Sequence, residues 1–174
     1  MIYVRDDDVT VRAIWKHLLF LRYRIIVDIG ISTSMKVPYR WIKNHLYMYE
    51  VCNHTHSHSP NFVNWDRKKQ LEDIKRAQEI IKKKLGIKPK YFIPPYGRYN
   101  DDLIEVLSEL GLQIHPSYLL IKTNPDRYYI MNKEDIIGKK EGWYVCHTSW
   151  RSNLFWRLKK NLRYLYENRL TRFW

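Results

Sequence analysis

The stretch Asn53-His54-Thr55-His56-Ser57-His58-Ser59-Pro60 places three histidines at alternate positions within five residues. A core strand rarely buries a row of imidazoles. Imidazole is the commonest metal-binding side chain, and histidines that can meet carboxylates mark a metal site. Two further stretches carry suitable partners: Arg5-Asp6-Asp7-Asp8-Val9, at the end of an apolar run, and Trp143-Tyr144-Val145-Cys146-His147-Thr148, late in the chain. One carboxylate and two imidazoles give a divalent ion three protein ligands and leave positions open for water or substrate, the catalytic kind of site. A second carboxylate beside the ligand can serve as general base, and a histidine from another strand can protonate a leaving group. The turn Pro94-Pro95-Tyr96-Gly97 can aim a backbone N–H at a developing oxyanion. Together these groups suit hydrolysis of an amide or an ester.

Such residues need a scaffold that gathers strand ends. Ile2-Tyr3-Val4 is short, apolar and closed by carboxylates, as a buried strand would be. Thr10 is placed to cap a helix to about Arg22, with Val11, Ile14, Trp15, Leu18 and Leu19 on one face. Ile25 to Ile31 is continuous and rich in β-branched residues, which predicts a parallel strand covered on both faces. Pro38 opens a helical segment to about Met48, and Glu50–Asn53 is a strand that delivers the histidines. The clearest helix runs from Asn64 or Trp65 to Leu85, burying Leu71, Ile74, Ala77, Gln78, Ile81 and Leu85, and Gly86 ends it. Tyr91-Phe92-Ile93 is a strand stopped by the Pro-Pro turn. Asn100 caps a helix closed by Gly111, and Leu112-Gln113-Ile114 is the next strand. Tyr128–Ile130 and Trp143–His147 read as strands, and Lys133–Ile137 as a short turn. A basic amphipathic helix is expected at about 154–173, with Phe155, Leu158, Leu162, Leu165 and Phe173 inward and Arg157, Lys159, Lys160 and Arg163 outward. Strands alternating with helices predict one domain over 1–174, a parallel sheet with crossover helices, open or closed into a barrel. Either form collects polar residues at the C-terminal ends of its strands.

Composition sets wider bounds. The chain is 45% hydrophobic and 28% charged, the balance of a folded domain rather than a disordered one. No apolar run approaches the ~20 residues of a membrane-spanning helix. The strand-like start at Met1 has no signal-peptide pattern, so the expected location is cytoplasmic. Cys52 and Cys146 are the only cysteines and lie in apolar stretches, which predicts buried free thiols. The net charge of +13 allows an anionic lipid surface, an anionic substrate or nucleic acid without choosing among them.

In order and spacing, from residue 2 to about 150, these motifs resemble the polysaccharide deacetylases, carbohydrate esterase family 4. His54-Thr55-His56-Ser57-His58 is similar to the family's histidine metal motif, with His54 and His58 as ligands. Phe92-Ile93-Pro94-Pro95-Tyr96-Gly97-Arg98-Tyr99-Asn100 is similar to its Phe-Arg-Pro-Pro-Tyr-Gly segment, Arg5–Val9 to its paired aspartates and Val145-Cys146-His147 to its late Leu-x-His. The resemblance implies a distorted, incomplete (β/α) barrel of about seven parallel strands with outer helices. It implies a divalent metal, zinc first, with cobalt, nickel or iron as alternatives. The implied reaction removes an N-acetyl, less often an O-acetyl, group from a sugar, an oligosaccharide or a lipid-linked glycan precursor. Carried across, Asp8, His54 and His58 bind metal, Asp7 is the base, His147 the acid, and the Tyr96 N–H helps hold the oxyanion. Pro95, Gly97, Tyr99, Trp143 and Trp150 fall on the substrate side, with core packing an equal reading for Trp143.

Several alternatives stay open at this point. The base and ligand pair is Asp7/Asp8 or Asp6/Asp7. His54 could pair with His56 instead, as in amidohydrolase-type barrels. His17, His45 and His115 read as surface or satisfied core residues. Two departures from the family stand out. Ile93 occupies the place of an arginine that holds the catalytic aspartate, so Arg5, Arg151 or Arg98 would have to replace it, with Arg5 favoured because it shares a strand face with Asp7. The family's Asp/Trp segment has no clear counterpart unless Asp126 or Asp135 contributes. Both departures keep open an inactive, deacetylase-like carbohydrate- or metal-binding protein. A basic binder of anionic surfaces is a third reading, and no specific nucleic-acid partner is expected.

Overall fold

The β-branched runs become parallel strands, and their order is that of a barrel cut open. In the computed structural model, which describes residues 1–118, 128–130, 135–146 and 152–173, the strands are β1 (Ile2–Asp6), β2 (Val27–Ile31), β3 (Tyr49–Asn53), β4 (Tyr91–Phe92), β5 (Gln113–Ile114), β6 (Tyr128–Ile130) and β7 (Gly142–Cys146). They form one sheet in the order β5-β4-β3-β2-β1-β7-β6, and every pairing is parallel. That order is the cyclic order of a seven-stranded barrel interrupted between β5 and β6, as expected from the sequence. His147, Trp150, Arg151 and Asp126, all named from the sequence, lie outside the described residues.

Among the described residues, five helices cover the sheet: α1 (Ile14–Arg22), α2 (Tyr39–Asn44), α3 (Arg67–Leu85), α4 (Asp101–Glu109) and α5 (Ser152–Glu167). α3 starts two or three residues later than the apolar pattern suggests, because Asp66 caps it by accepting a hydrogen bond from the Lys69 N–H at 2.9 Å. Gly86 closes it at φ 79°, a conformation that costs glycine little. Asn100 caps α4 as expected, accepting from the Leu103 N–H. Leu158, Leu162 and Leu165 of α5 are buried. The outward basic groups of α5 are engaged locally: Lys160 and Arg157 face Asp135 at 2.9 and 3.7 Å, and Arg163 pairs with Glu167 at 2.7 Å. Asp135 is therefore a surface partner of α5.

The interior of the sheet is divided by strand alternation. On β1, Ile2, Val4 and Asp6 face the helices, while Tyr3, Arg5 and Asp7 face the barrel axis, where each meets groups from other strands. The apolar face expected for α1 is not the buried one throughout. Val11 and Leu18 are 46% and 51% exposed, while Lys16 and His17 are fully buried. The reason is Asp6, which points out of the barrel under α1. The Lys16 ammonium pairs with it, and His17 Nε2 lies 3.2 Å from its second oxygen. His17 Nδ1 accepts from the Tyr49 hydroxyl, which accepts from the Trp41 indole N–H. Burial alone would raise the Asp6 pKa, but Lys16 and His17 outweigh it and hold the carboxyl below its ordinary value. The stabilisation is thus complete above the ordinary carboxylate pKa and is lost as pH falls through the lowered one. Lys16→Met should leave a buried carboxylate without its ammonium and cost about 3–5 kcal/mol. Thermal unfolding of Lys16→Met, compared with Asp6→Asn/Lys16→Met, measures it; the double variant should be the more stable.

Candidate active site

His54, His58 and Asp8 stand on loops that the chain ties down one hydrogen bond at a time. The His54 N–H extends the β2–β3 ladder to the Ile31 carbonyl, and Ser32 Oγ donates to the His54 carbonyl at 2.6 Å. Asn53 Oδ1 accepts from the Thr55 N–H, and Asn53 Nδ2 donates to the Ile74 carbonyl of α3. Asp73, also on α3, accepts from the backbone N–H groups of His56 and Ser57. Thr55 Oγ1 accepts from the His58 N–H at 3.0 Å. Gly30 is needed for a close approach: a Cβ there would meet Ile93 Cδ1 at 3.3 Å and His54 at 3.4 Å. Asn53, Ser32 and Asp73 were not singled out from sequence. Asp73 sits among the polar positions of an amphipathic helix, with nothing local to distinguish it.

Those tethers hold the backbone in an uncommon conformation. Among the described residues with positive φ other than glycine are Asp8 (58°), Thr55 (66°), His58 (52°) and Tyr96 (55°), all at this rim. Such residues collect where surrounding structure fixes a functional geometry.

The three ligand candidates meet. Asp8 Oδ1 is 3.3 Å from His54 Nε2 and 3.1 Å from His58 Nε2, and the three ligand atoms lie within 4.8 Å of one another. A tetrahedral ion with bonds of ~2.0–2.1 Å spaces its ligands about 3.3 Å apart, so the set fits a divalent metal. The His54 Nδ1–H donates to the Ile93 carbonyl at 2.6 Å, which leaves Nε2 as the coordinating atom, the orienting contact usual for a metal-binding histidine. Burial disfavours a charged His54 ring, but Asp8 and Asp7 outweigh it and raise its pKa. The site therefore favours a cation on that nitrogen, whether proton or metal. His56 takes no part: its Nδ1 contacts Thr33 Oγ1 at 2.8 Å, which removes the His54/His56 pair.

The register of the aspartates is resolved by where they point. Asp6 lies beneath α1, Asp8 meets the histidines, and Asp7 faces the barrel axis. Arg5 Nη2 donates to Asp7 Oδ2 at 2.9 Å, so the cation expected beside Asp7 comes from β1. Arg5 is 1% exposed, lies over the Tyr118 ring at 4.7 Å and donates to Tyr118 Oη and to Ser117 Oγ. Ile93 is buried against the same Tyr118 and Cys52.

The remaining predicted residues fall as follows. Tyr96 is exposed at the tip of the Pro-Pro turn, its ring 5.0 Å from that of His58. The turn's own bonds use the N–H groups of Gly97 and Arg98, and Pro95 is buried beneath it. Tyr99 is half-buried, edge-on to Tyr118. Trp143 is not a sugar platform. It is 8% exposed, stacked on Tyr3 at 4.9 Å and edge-on to His115, deep below the rim, because its register on β7 pairs it with Tyr3 and not with the strand end. Cys52 and Cys146 are free and buried, and burial pushes both thiols up.

Comparison with known proteins agrees with this geometry. Residues 45–115 match the model of the family described as polysaccharide deacetylase. That segment, less than half of the chain, is similar to the polysaccharide deacetylase family. The matched segment holds His54, His58 and the Pro-Pro turn but not Asp7, Asp8 or His147. The chain is 33% identical over 90 residues to the peptidoglycan-N-acetylmuramic acid deacetylase PdaC of Bacillus subtilis, covering 52% of this chain and 18% of that protein. It is 31% identical over 81 residues to the chitin deacetylase of Amylomyces rouxii, covering 47% and 19%. Its fold is similar to a family 4 carbohydrate esterase from Streptomyces lividans, solved with acetate, at 16% identity and a TM-score of 0.74 over 98% of this chain and 90% of that one. The chain thus matches about a fifth of the length of these curated deacetylases, while the solved esterase shares its whole fold.

Proposed function

We propose that this chain is a metal-dependent hydrolase that removes an acetyl group, N-linked first and O-linked second, from a sugar or oligosaccharide. The observation that carries the reading is the convergence of Asp8, His54 and His58 beside an aspartate, Asp7, held by a buried arginine. Asp8 Oδ1, His54 Nε2 and His58 Nε2 would hold the ion, zinc first. Bound there, a divalent ion supplies Lewis-acid polarisation of the acetyl carbonyl and of attacking water. Asp7 accepts the proton of that water through a carboxylate fixed by Arg5. The Tyr96 N–H, on the turn whose Tyr96 ring lies 5.0 Å from that of His58, would donate to the developing oxyanion. His147 is proposed as the acid that protonates the leaving amine, on the family resemblance. The names of the curated relatives, a chitin and a peptidoglycan deacetylase, favour an N-acetylated glycan as substrate.

Finer parts of the proposal carry their own tests. Action in the cytoplasm on a soluble or lipid-linked precursor is tested by fractionation and by offering such precursors beside finished polymers. Docking of α5 on an anionic surface must weaken with salt, since exposed charges are screened beyond ~8–10 Å. Metal uptake should weaken as pH falls, because a proton competes for His54 Nε2 and the neighbouring carboxylates strengthen its hold. Titration calorimetry with zinc in buffers of different ionisation enthalpy should show proton release that grows towards lower pH. The reading as a whole is tested by incubating the protein with N-acetylated chitooligosaccharides, peptidoglycan fragments and O-acetylated xylan, and measuring acetate and free amine. Acetate from an N-acetylated substrate is the expected result. No acetate from any of them would remove the proposed activity.

A further inference from the structure

The barrel axis below the metal cluster is polar, and its polar groups are connected. We propose that Asp28, His115 and Ser117 are positioning residues, which act on Asp7 through Arg5. The inference rests on the reading of Asp7 as the base, and it concerns residues that the family motifs do not include.

The chain of contacts has a direction that each donor and acceptor fixes. Ser117's backbone N–H, which can only donate, points at His115 Nδ1 at 3.3 Å. Nδ1 is therefore the acceptor nitrogen of a neutral imidazole, and its proton is on Nε2. The Nε2–H then donates to Asp28 Oδ2 at 3.2 Å. The Ser117 hydroxyl lies 2.8 Å from the same Nδ1 and donates to it, which leaves the Oγ lone pairs for Arg5. Arg5 Nη1 donates to that Oγ, and Arg5 Nη2 donates to Asp7 Oδ2 at 2.9 Å. At the other end, Arg172 donates to Asp28 Oδ1, and its guanidinium lies 5.2 Å from the Tyr3 ring centre. A protonated His115 would turn an N–H towards the Ser117 N–H and break the sequence. Burial opposes that form and lowers the pKa of the ring, with Asp28 only partly offsetting it.

The elements involved are far apart in sequence. Arg5 and Asp28 are register partners on β1 and β2, His115 and Ser117 follow β5 across the barrel, and Arg172 comes from the C-terminal segment that bridges to Ile25. Arg5, Asp7, Asp28, His115 and Ser117 are all at most 5% exposed in residue terms. Buried ion pairs of this kind are weak contributors to stability, and apolar residues of similar volume often serve as well or better. What they supply here is a fixed plane for the guanidinium. Arg5 is a long side chain from the same strand as its target, and without Ser117 and Tyr118 its fork has other rotamers to adopt. A shift of about 1 Å in a catalytic carboxylate is enough to cost ~10²-fold in rate.

The test uses the full chain loaded with zinc, and the variants Ser117→Ala, His115→Gln and His115→Asn. Acetate release from an N-acetylated chitotetraose gives kcat and KM, and nitrogen-15 NMR follows the Arg5 Nη protons and the His115 ring nitrogens. Ser117→Ala should lower kcat about ten- to hundred-fold with KM and zinc stoichiometry unchanged. The Arg5 Nη signals should lose their exchange protection in the same variant. His115→Asn keeps an acceptor near the place of Nδ1 and should retain more activity than His115→Gln, which loses it. In the wild type, the ring should show a protonated Nε2 and a bare Nδ1. Arg5 protons that do not respond to Ser117→Ala would overturn the chain of contacts whatever the activity. Responding protons with kcat unchanged would overturn the positioning role. A wild type inactive on every acetylated sugar, with responding protons, would instead sink the reading of Asp7 as a base, and the positioning role with it, while the contacts themselves stand.

Discussion

Asp7→Asn is expected to lower turnover by about two to four orders of magnitude, with zinc binding retained. The amide keeps the shape of the carboxylate and a contact to Arg5, but it cannot take a proton from water. Asp8→Asn should behave in the opposite way. Its Oδ1 is the atom that meets both Nε2 nitrogens, so its loss should first appear as weaker metal binding. Parallel measurement of kcat and zinc stoichiometry separates the two. Loss of zinc in Asp7→Asn with retention in Asp8→Asn would mean that base and ligand are exchanged. His147→Ala should lower turnover to a similar degree and also keep the metal, if it is the acid.

The second large effect is expected at Arg5. Arg5→Leu removes the buried cation from a carboxylate that is itself 3% exposed, which should destabilise the fold by about 3–5 kcal/mol and cost at least ~10²-fold in kcat. Ile93 packs on the same Tyr118 that carries Arg5, so the two positions reach one space from different strands. Ile93→Arg should therefore restore part of the activity in the Arg5→Leu background. Alone it should lower the melting temperature by placing a second guanidinium beside the first. Thermal unfolding and kcat of the four proteins form a double-mutant cycle. Additive effects would show that the two positions do not share the role, and full activity in Arg5→Leu would remove the account of the departure at Ile93.

The sequence carried the parts of this site that are local. His54 and His58 stand at a strand end in a spacing with few other uses, and Pro94-Pro95-Tyr96-Gly97 is a turn by its residue types alone. Period-two alternation put Arg5 and Asp7 on one face, and the structure pairs them. Long apolar and amphipathic segments were equally legible, down to the caps Asn100 and Gly86. What could not be read was which partner a buried polar residue finds across the barrel. Lys16 carried no signal, and His17 read as a surface or satisfied core residue, because nothing nearby in sequence announces that Asp6 points under α1. His115 looked like an isolated core histidine, because Asp28 is 87 residues away and Arg5 reaches it only through Ser117. Trp143 read equally as a sugar platform and as core packing, and the choice rests on strand register, which becomes visible only when β7 is paired with β1.

Acetate release should depend on an ion held by Asp8, His54 and His58. The most direct measurement is the rate of acetate release from an N-acetylated chitooligosaccharide by protein stripped with a chelator and then titrated with zinc. The expected results are no release from the stripped protein, recovery that saturates at one equivalent of zinc, and no recovery in His54→Ala/His58→Ala. Release that is indifferent to the chelator, or restored equally in the double variant, would contradict that dependence.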